Sequence, residues 1–445
     1  MVGTEEPDTQ QHSGRTLVLC FDGTADQFDA DNSNVVKLFS LLNKDPEQQL
    51  CYYDPGVGTW FHPGVVSPLF EWFAKWMDLA VAWYLDAHVL DGYKFIMQNY
   101  REGDNICIFG FSRGSYTARA LAGFLHKIGL LSRDNVSQIP FAYKLYKRED
   151  RESIELAEGF KRTFCRAVKI TFMGVWDTVA SVGVIMGRTL PFTNSNRSIT
   201  TFRHALALDE RRARFRPSFY HRPSPTLEAA ALDPENASSP NDAGTSSSSS
   251  SSSSSKSSRN KSPGLRNRLG FLSKEKKKEG AAAQSQLNAE QKPDDLPDDV
   301  EEVWFVGGHS DVGGGNTLND AKHCVSNIPL RWMIREIMKS GCGIRFVPEA
   351  VATLKLDKSD DLDAIDALEP IHDRLAGSFK DRLWWILELI PLSHAWQDEN
   401  GVWHRSYGDI YTPEPKFHRS VKVRLESTLG YRPKAKWAGT ETYVS

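Results

Sequence analysis

Cysteine is scarce in this chain and never paired in spacing. Cys20, Cys51, Cys107, Cys165, Cys324 and Cys342 are the only six in 445 residues, with no CxxC or CxxH arrangement. That excludes the common zinc motifs and the framework of a disulfide-stapled secreted domain, and it is the pattern of reduced thiols. No metal and no cofactor are expected. A continuous run of the roughly 20 apolar residues that a spanning helix needs is also lacking. The start, Met1-Val2-Gly3-Thr4-Glu5-Glu6-Pro7 and on to His12, has neither the basic opening nor the apolar stretch of a secretory signal. The expectation is a cytoplasmic protein. Charge of one sign is missing as well: 54 basic and 57 acidic residues leave a net charge of −3, so no nucleic-acid partner is expected.

What is present divides sharply. Residues 226–299 run from a Pro, Ala and Asn segment into ten serines, Ser246 to Ser255, and then a basic stretch ending Lys274-Glu275-Lys276-Lys277-Lys278. Such composition buries too little apolar surface to offset chain entropy, and the reading is a disordered insert. It interrupts one domain, because patterned sequence resumes at Val303, and long surface insertions add little closure entropy. The division is a disordered terminus (1–14), the first part of the domain (15–225), the insert, the second part of the domain (300–425) and a tail (426–445). The basic stretch Lys256 to Lys278 is a solvated loop or a peripheral contact with anionic membrane.

Outside the insert, apolar runs alternate with helical patterns. Strands are expected at Thr16–Phe21, Gln49–Tyr53, Asn105–Phe109, Val168–Phe172 and Glu302–Val306, with helices at Asn34–Leu42, Asp86–Tyr100 and Arg113–Ile128. His204 is read as preceding a helical segment from Ala205 to Arg211. Continuous apolar strands alternating with helices predict an α/β fold, a mostly parallel sheet with helices on both faces. Two aromatic stretches, Leu69–Leu85 and Leu383–Leu392, read as core-facing helices or as a substrate-facing lid.

Polar residues gather after the strands, where such sheets place their chemistry. Gly110-Phe111-Ser112-Arg113-Gly114 fits Gly-x-Ser-x-Gly between an expected strand and an expected helix. A serine nucleophile at that turn needs small neighbours so that the backbones can approach. It also needs a base and an orienting carboxylate, which follow in the order acid, then histidine. Asp177 closes Phe172-Met173-Gly174-Val175-Trp176-Asp177, and His309 opens His309-Ser310-Asp311-Val312-Gly313-Gly314-Gly315. Ser112, Asp177 and His309 are therefore the candidate catalytic residues. Asp311 competes as the acid or holds the histidine loop. His204, His394 and, more seriously, His418 compete as the base. Backbone N–H groups of Arg113 and Gly23 are the candidate oxyanion donors, with Asp22 beside them as a supporting residue. Asp22-Gly23-Thr24 also suggests an aspartate-nucleophile phosphatase, but Cys20 stands where that nucleophile belongs.

Six motifs in order, Cys20 to Thr24, Tyr53 to Thr59, Gly110 to Gly114, Gly174 to Thr178, His204 to Arg211 and Trp304 to Gly315, give a family likeness. The chain resembles the catalytic domain of bacterial type VI secretion phospholipase effectors and their uncharacterised relatives, fungal ones included, over about residues 15–220 and 300–425. The resemblance implies an α/β-hydrolase fold, a triad carried by Ser112, Asp177 and His309, and hydrolysis of phospholipid acyl esters. The expected substrate is a lipid or a small acyl ester. The alternatives are a silent scaffold that binds a membrane or partner, and acyl transfer to an acceptor other than water. Oligomeric state is not legible.

Overall fold

The computed structural model describes residues 14–23, 29–56, 70–179, 190–194, 196–210, 212, 215, 217–220, 299–373, 394–397, 403–406, 415–435, 437 and 440–445. The serine run, the basic stretch and the aromatic segment at 383–392 fall outside them. So do the side chains of residues 70–84, which hold most of the other aromatic stretch.

The main sheet contains β1 (Thr16–Phe21), β2 (Gln49–Asp54), β3 (Asn105–Phe111), β4 (Ile170–Trp176), β5 (Ile199–Ala207), β6 (Asp299–Phe305), β7 (Lys416–His418) and β8 (Thr442–Val444). Their order is β8-β7-β6-β5-β4-β3-β1-β2, and every neighbouring pair is parallel. The helices that frame it are α1 (Asn34–Leu41), α2 (Phe70–Asn99), α3 (Arg113–Ile128), α4 (Ile139–Tyr146), α5 (Arg151–Phe164), α6 (His309–Gly313), α7 (Asn327–Ser340), α8 (Ser359–Asp366) and α9 (Arg419–Glu426).

Burial on both faces explains the continuous apolar runs. In β1, Leu17, Leu19 and Phe21 pack with α2 and α3 residues such as Tyr93, Leu121 and Phe124. The alternate residues Val18 and Cys20 pack on the opposite face with Leu38 of α1 and Trp332 of α7. Neighbouring β3 repeats the division: Ile106 and Ile108 share the first cluster, while Cys107, Phe109 and Phe111 share the second. A one-residue slip of either strand would exchange these faces, so the register is fixed by packing.

Strand order reverses between β1 and β3, because the chain goes outward to β2 and then returns to the other side of β1. Such a reversal opens a crevice beyond the carboxyl ends of the two strands. Asp22-Gly23 leaves β1 there and Ser112 leaves β3.

Two expectations are corrected. Residues 205–207 belong to β5 instead of a helix: Ile199–Ala207 lies between β4 and β6 and is buried along nearly its whole length. The C-terminal residues set apart as a tail join the fold, with β8 paired to β7 and Ala435 N–H donating to Leu208 O at 2.8 Å. All six cysteines are free thiols. Among the described residues, no helix is long and apolar enough to cross a membrane.

Candidate active site

Ser112 occupies the turn between β3 and α3 with φ +58° and ψ −122°, a region an L-residue enters only under strain of about 1–3 kcal/mol. Packing enforces it. Ser112 N–H donates to Trp176 O at 3.1 Å, its carbonyl accepts Val179 N–H at 3.3 Å, and Ser115 Oγ donates to Trp176 O at 2.9 Å. The flanking glycines allow the close approach. A Cβ on Gly110 would lie 2.6 Å from Gly114 O, and one on Gly114 would lie 2.3 Å from Phe21 O and 2.4 Å from Asp22 O. Thus α3 begins hard against the end of β1, and its first residue, Arg113, brings the positive end of the helix beside Ser112.

His309 starts α6, immediately after the Gly307-Gly308 turn that ends β6. Its Nε2 lies 2.7 Å from Ser112 Oγ and its Nδ1 lies 2.6 Å from Asp177 Oδ2. A carboxylate only accepts, so Nδ1–H donates to Asp177 and Nε2 is left to take the hydroxyl proton of Ser112. All three side chains are buried. The imidazole is bracketed by Phe111, with ring centroids 4.7 Å apart, and by Phe215, edge-on at 4.9 Å. Gly313 makes room for the Phe111 ring, which a Cβ there would meet at 1.8 Å.

Asp177 has φ +38° and is held from both ends. Its N–H donates to Ala205 O at 2.7 Å, and its Oδ1 accepts Ala207 N–H at 3.1 Å. The other oxygen is thereby directed to His309.

Three successive backbone N–H groups of the histidine turn each donate to a different carboxylate. Gly307 N–H reaches Asp209 Oδ2 at 2.8 Å, Gly308 N–H reaches Asp311 Oδ2 at 3.0 Å, and His309 N–H reaches Glu210 Oε2 at 3.2 Å. Burial by itself would raise the Glu210 carboxyl. Its two-point pairing with Arg212, at 2.8 Å on each oxygen, and the Arg212 charge outweigh that and hold it below the usual range. Arg212 also covers Phe215, 3.6 Å from the ring centroid, tying the pair to the ring that brackets His309. Burial pushes Asp209 up, against its bonds from Tyr431 Oη, Gly307 and Lys434. Neither Asp209 nor Glu210 stands out in the sequence as a site residue.

The competing residues are placed elsewhere. Asp311 holds the histidine turn and bonds His372 through both Nδ1 (2.7 Å) and the backbone N–H (2.9 Å), so it is not the partner of His309. His418 is fully buried against Phe305 and caps α9, with Nδ1 2.8 Å from Ser420 Oγ. It faces Arg335 and Asp363, and Ser112 is not among its partners. His204 binds Glu302 and the Thr178 backbone. His394 begins a separate hairpin of His394–Gln397 with Trp403–Ser406.

The Gly23 expectation is corrected: its N–H donates to Asp22 Oδ1 at 2.8 Å and is thereby committed. Asp22 is a structural anchor for that loop. Its buried carboxylate accepts Ser33 Oγ at 2.7 and 2.9 Å and Tyr53 Oη at 2.7 Å; burial raises its pKa although these bonds oppose it. Cys20, where a phosphatase would carry its nucleophile, is wholly buried and its thiol is pushed up by that burial. No group of metal-ligating side chains exists among the described residues.

A parallel sheet flanked by helices, with a strained serine at a strand-to-helix turn joined through histidine to a buried aspartate, defines an α/β-hydrolase-like fold. The chain belongs to the family described as "T6SS, Phospholipase effector Tle1-like, catalytic domain", whose model matches residues 15–336. It is 29% identical over 563 aligned positions to the uncharacterized protein YEL023C of Saccharomyces cerevisiae, covering 96% of this chain and 81% of the yeast protein. Among solved structures, it is similar to an uncharacterized protein from Pseudomonas aeruginosa (16% identity, TM-score 0.38, 85% of this chain). This chain spans 56% of that protein's length. A second similar structure is the Tle1 effector bound to the VgrG spike of the type 6 secretion system (13% identity, TM-score 0.36, 88% of each chain).

Proposed function

We propose that this protein is a serine hydrolase that cleaves the acyl esters of lipids, phospholipids among them. Ser112 Oγ attacks the ester carbonyl carbon while its proton passes to His309 Nε2, and Asp177 steadies the imidazolium through Nδ1–H. The tetrahedral oxyanion accepts from Arg113 N–H at the start of α3. Collapse breaks the bond to the leaving alcohol, which takes the proton from Nε2. Water, deprotonated by the same nitrogen, then releases the acid and restores Ser112.

The observation that carries this reading is the continuous bonded chain Ser112 Oγ, His309, Asp177, at 2.7 and 2.6 Å, in a buried setting. The family's phospholipase description supports a lipid ester as the substrate class. The test is Ser112→Ala. Turnover of p-nitrophenyl esters and phospholipid vesicles should fall by about 10⁴-fold or more, and labelling by a fluorophosphonate should vanish. Wild-type turnover in the variant would refute the assignment.

A further inference from the structure

Behind the turn that carries Asp177 lies a second histidine and carboxylate pair. His204 is wholly buried in β5, the strand between β4 and β6. Its Nε2 accepts Thr178 N–H at 3.1 Å, and its Nδ1 lies 2.7 Å from Glu302 Oε1 on β6. A backbone N–H can only donate, so Nε2 carries the lone pair and the ring proton sits on Nδ1, donated to Glu302. Glu302 Oε1 also accepts Tyr220 N–H at 2.9 Å, and the buried Arg119 guanidinium acts on Glu302 electrostatically. Arg119 is itself held by the carbonyls of Thr193, Ser218 and Phe219. The orientation of the His204 ring is thus set from one side by a carboxylate and read on the other by one main-chain N–H.

That N–H belongs to the residue immediately after Asp177. The Asp177 backbone is in the left-handed region, at φ +38°, where an aspartate stays only if its surroundings hold it. Among the bonds that do so are Asp177 N–H to Ala205 O, Ala207 N–H to Asp177 Oδ1, and Thr178 N–H to His204 Nε2, beside Ser218 N–H to Thr178 O and Val179 N–H to Ser112 O further along the turn. The first joins two main-chain groups, and the second joins a main-chain N–H to the Asp177 carboxylate itself. The third needs a side chain that accepts from within a buried strand, and packing by itself would be satisfied by an apolar residue there.

We propose that His204, oriented by Glu302, is a positioning residue: it fixes the Asp177–Thr178 turn so that Asp177 Oδ2 meets His309 Nδ1. The bonded chain then runs from Ser112 through His309 and Asp177, across the Thr178 peptide, to His204 and Glu302. The proposal rests on the hydrolase reading above. Its consequence is kinetic, because loss of the acceptor releases the turn and moves the Asp177 carboxylate without touching the substrate.

The experiment compares wild type, Ser112→Ala, His204→Phe, His204→Gln and Glu302→Gln. It measures kcat and KM on a soluble p-nitrophenyl ester and the rate of fluorophosphonate labelling, with thermal melting alongside. His204→Phe keeps a ring but no acceptor. Its kcat and labelling rate should fall about 100-fold, the loss expected for an ångström-scale misplacement, while KM stays within about twofold because binding groups are untouched. His204→Gln supplies an amide oxygen to Thr178 N–H and should recover about tenfold of that loss. A merely structural role would lower the melting temperature of both variants without this rescue and without the split between kcat and KM. Wild-type kcat in folded His204→Phe, or a glutamine variant no better than phenylalanine, overturns the proposal. If His204→Phe does not fold, Glu302→Gln decides: a charge-assisted bond becomes a neutral one, and kcat should drop about tenfold, with an unchanged kcat counting against the proposal. Wild-type protein that Ser112→Ala shows to lack serine-dependent turnover would instead refute the hydrolase reading itself.

Discussion

Asp209 and Gly307 exchange two bonds across adjacent strand ends: Gly307 N–H donates to Asp209 Oδ2 at 2.8 Å, and Asp209 N–H donates to Gly307 O at 3.0 Å. The turn that delivers His309 is therefore fastened to the end of β5 before the imidazole makes any contact of its own. Asp209→Ala leaves the Gly307 N–H and the Tyr431 hydroxyl without that acceptor and should destabilise the protein by about 1–3 kcal/mol. Its fluorophosphonate labelling should slow as well. Asp209→Asn, which keeps an oxygen for Gly307, should recover most of both losses. Urea titration and labelling rates check this, and equal behaviour of the alanine and asparagine variants would contradict it.

Gly114→Ala addresses the elbow. The added carbon would stand 2.3 Å from Phe21 O and 2.4 Å from Asp22 O, both main-chain atoms. Relief requires α3 to move away from β1, a displacement that costs about 1–3 kcal/mol. Labelling of Ser112 should fall further than the stability loss explains, because the helix start moves with the serine. A variant that melts and labels like wild type would show that the close approach is not needed.

Much of this was legible in the sequence, and the reason is local. Ser112, Asp177 and His309 each close an apolar run, and glycines mark two of the three turns, so strand end and polar residue appear together in the letters. β5 was not legible. Ile199-Thr200-Thr201-Phe202-Arg203-His204-Ala205-Leu206-Ala207 carries a cation and an imidazole in a buried strand. Their partners are Glu336 and Asp299 for Arg203 and Glu302 for His204, all distant in the chain. Local pattern offers no sign of a neutralising group so far away, so the strand is not seen and Ala205 to Arg211, after His204, reads as a helical segment. The roles of Asp209 and Glu210 are not legible either, because what ties each to the histidine turn is a backbone N–H, of Gly307 and His309, which leaves no mark in a sequence. The C-terminal strands have only three residues each, too short for any period to show.

Acid should act through His418. Burial first, then the charges of Arg335, Arg419 and Arg331, push its pKa well below the ordinary value, so it is neutral when folded. The unfolded chain binds a proton at about pH 6.5. Above that pH both states are neutral and the full stability is present. Below it only the unfolded state takes up the proton, so stability falls with pH by up to about 1.4 kcal/mol per unit from this group. His418→Asn retains an acceptor for Ser420 N–H and should flatten the decline. Urea midpoints at pH 7.5 and 5.5 for the two proteins measure it, and parallel declines would place the acid sensitivity elsewhere.

The β5–β6 ladder pairs Thr201 through Ala207 with Asp299 through Phe305, two strands adjacent in the sheet and far apart in the chain. Ser112 and Asp177 precede this pair of strands and His309 follows it. Cutting the chain anywhere between residues 221 and 298 would therefore yield two fragments, one holding nucleophile and acid and the other holding the base. They would share a parallel ladder, the Asp209–Gly307 exchange and the Glu302–His204 bond as ready-made means of reassociation. Activity would then report the meeting of the two pieces, which makes this fold a natural two-part reporter divided between β5 and β6.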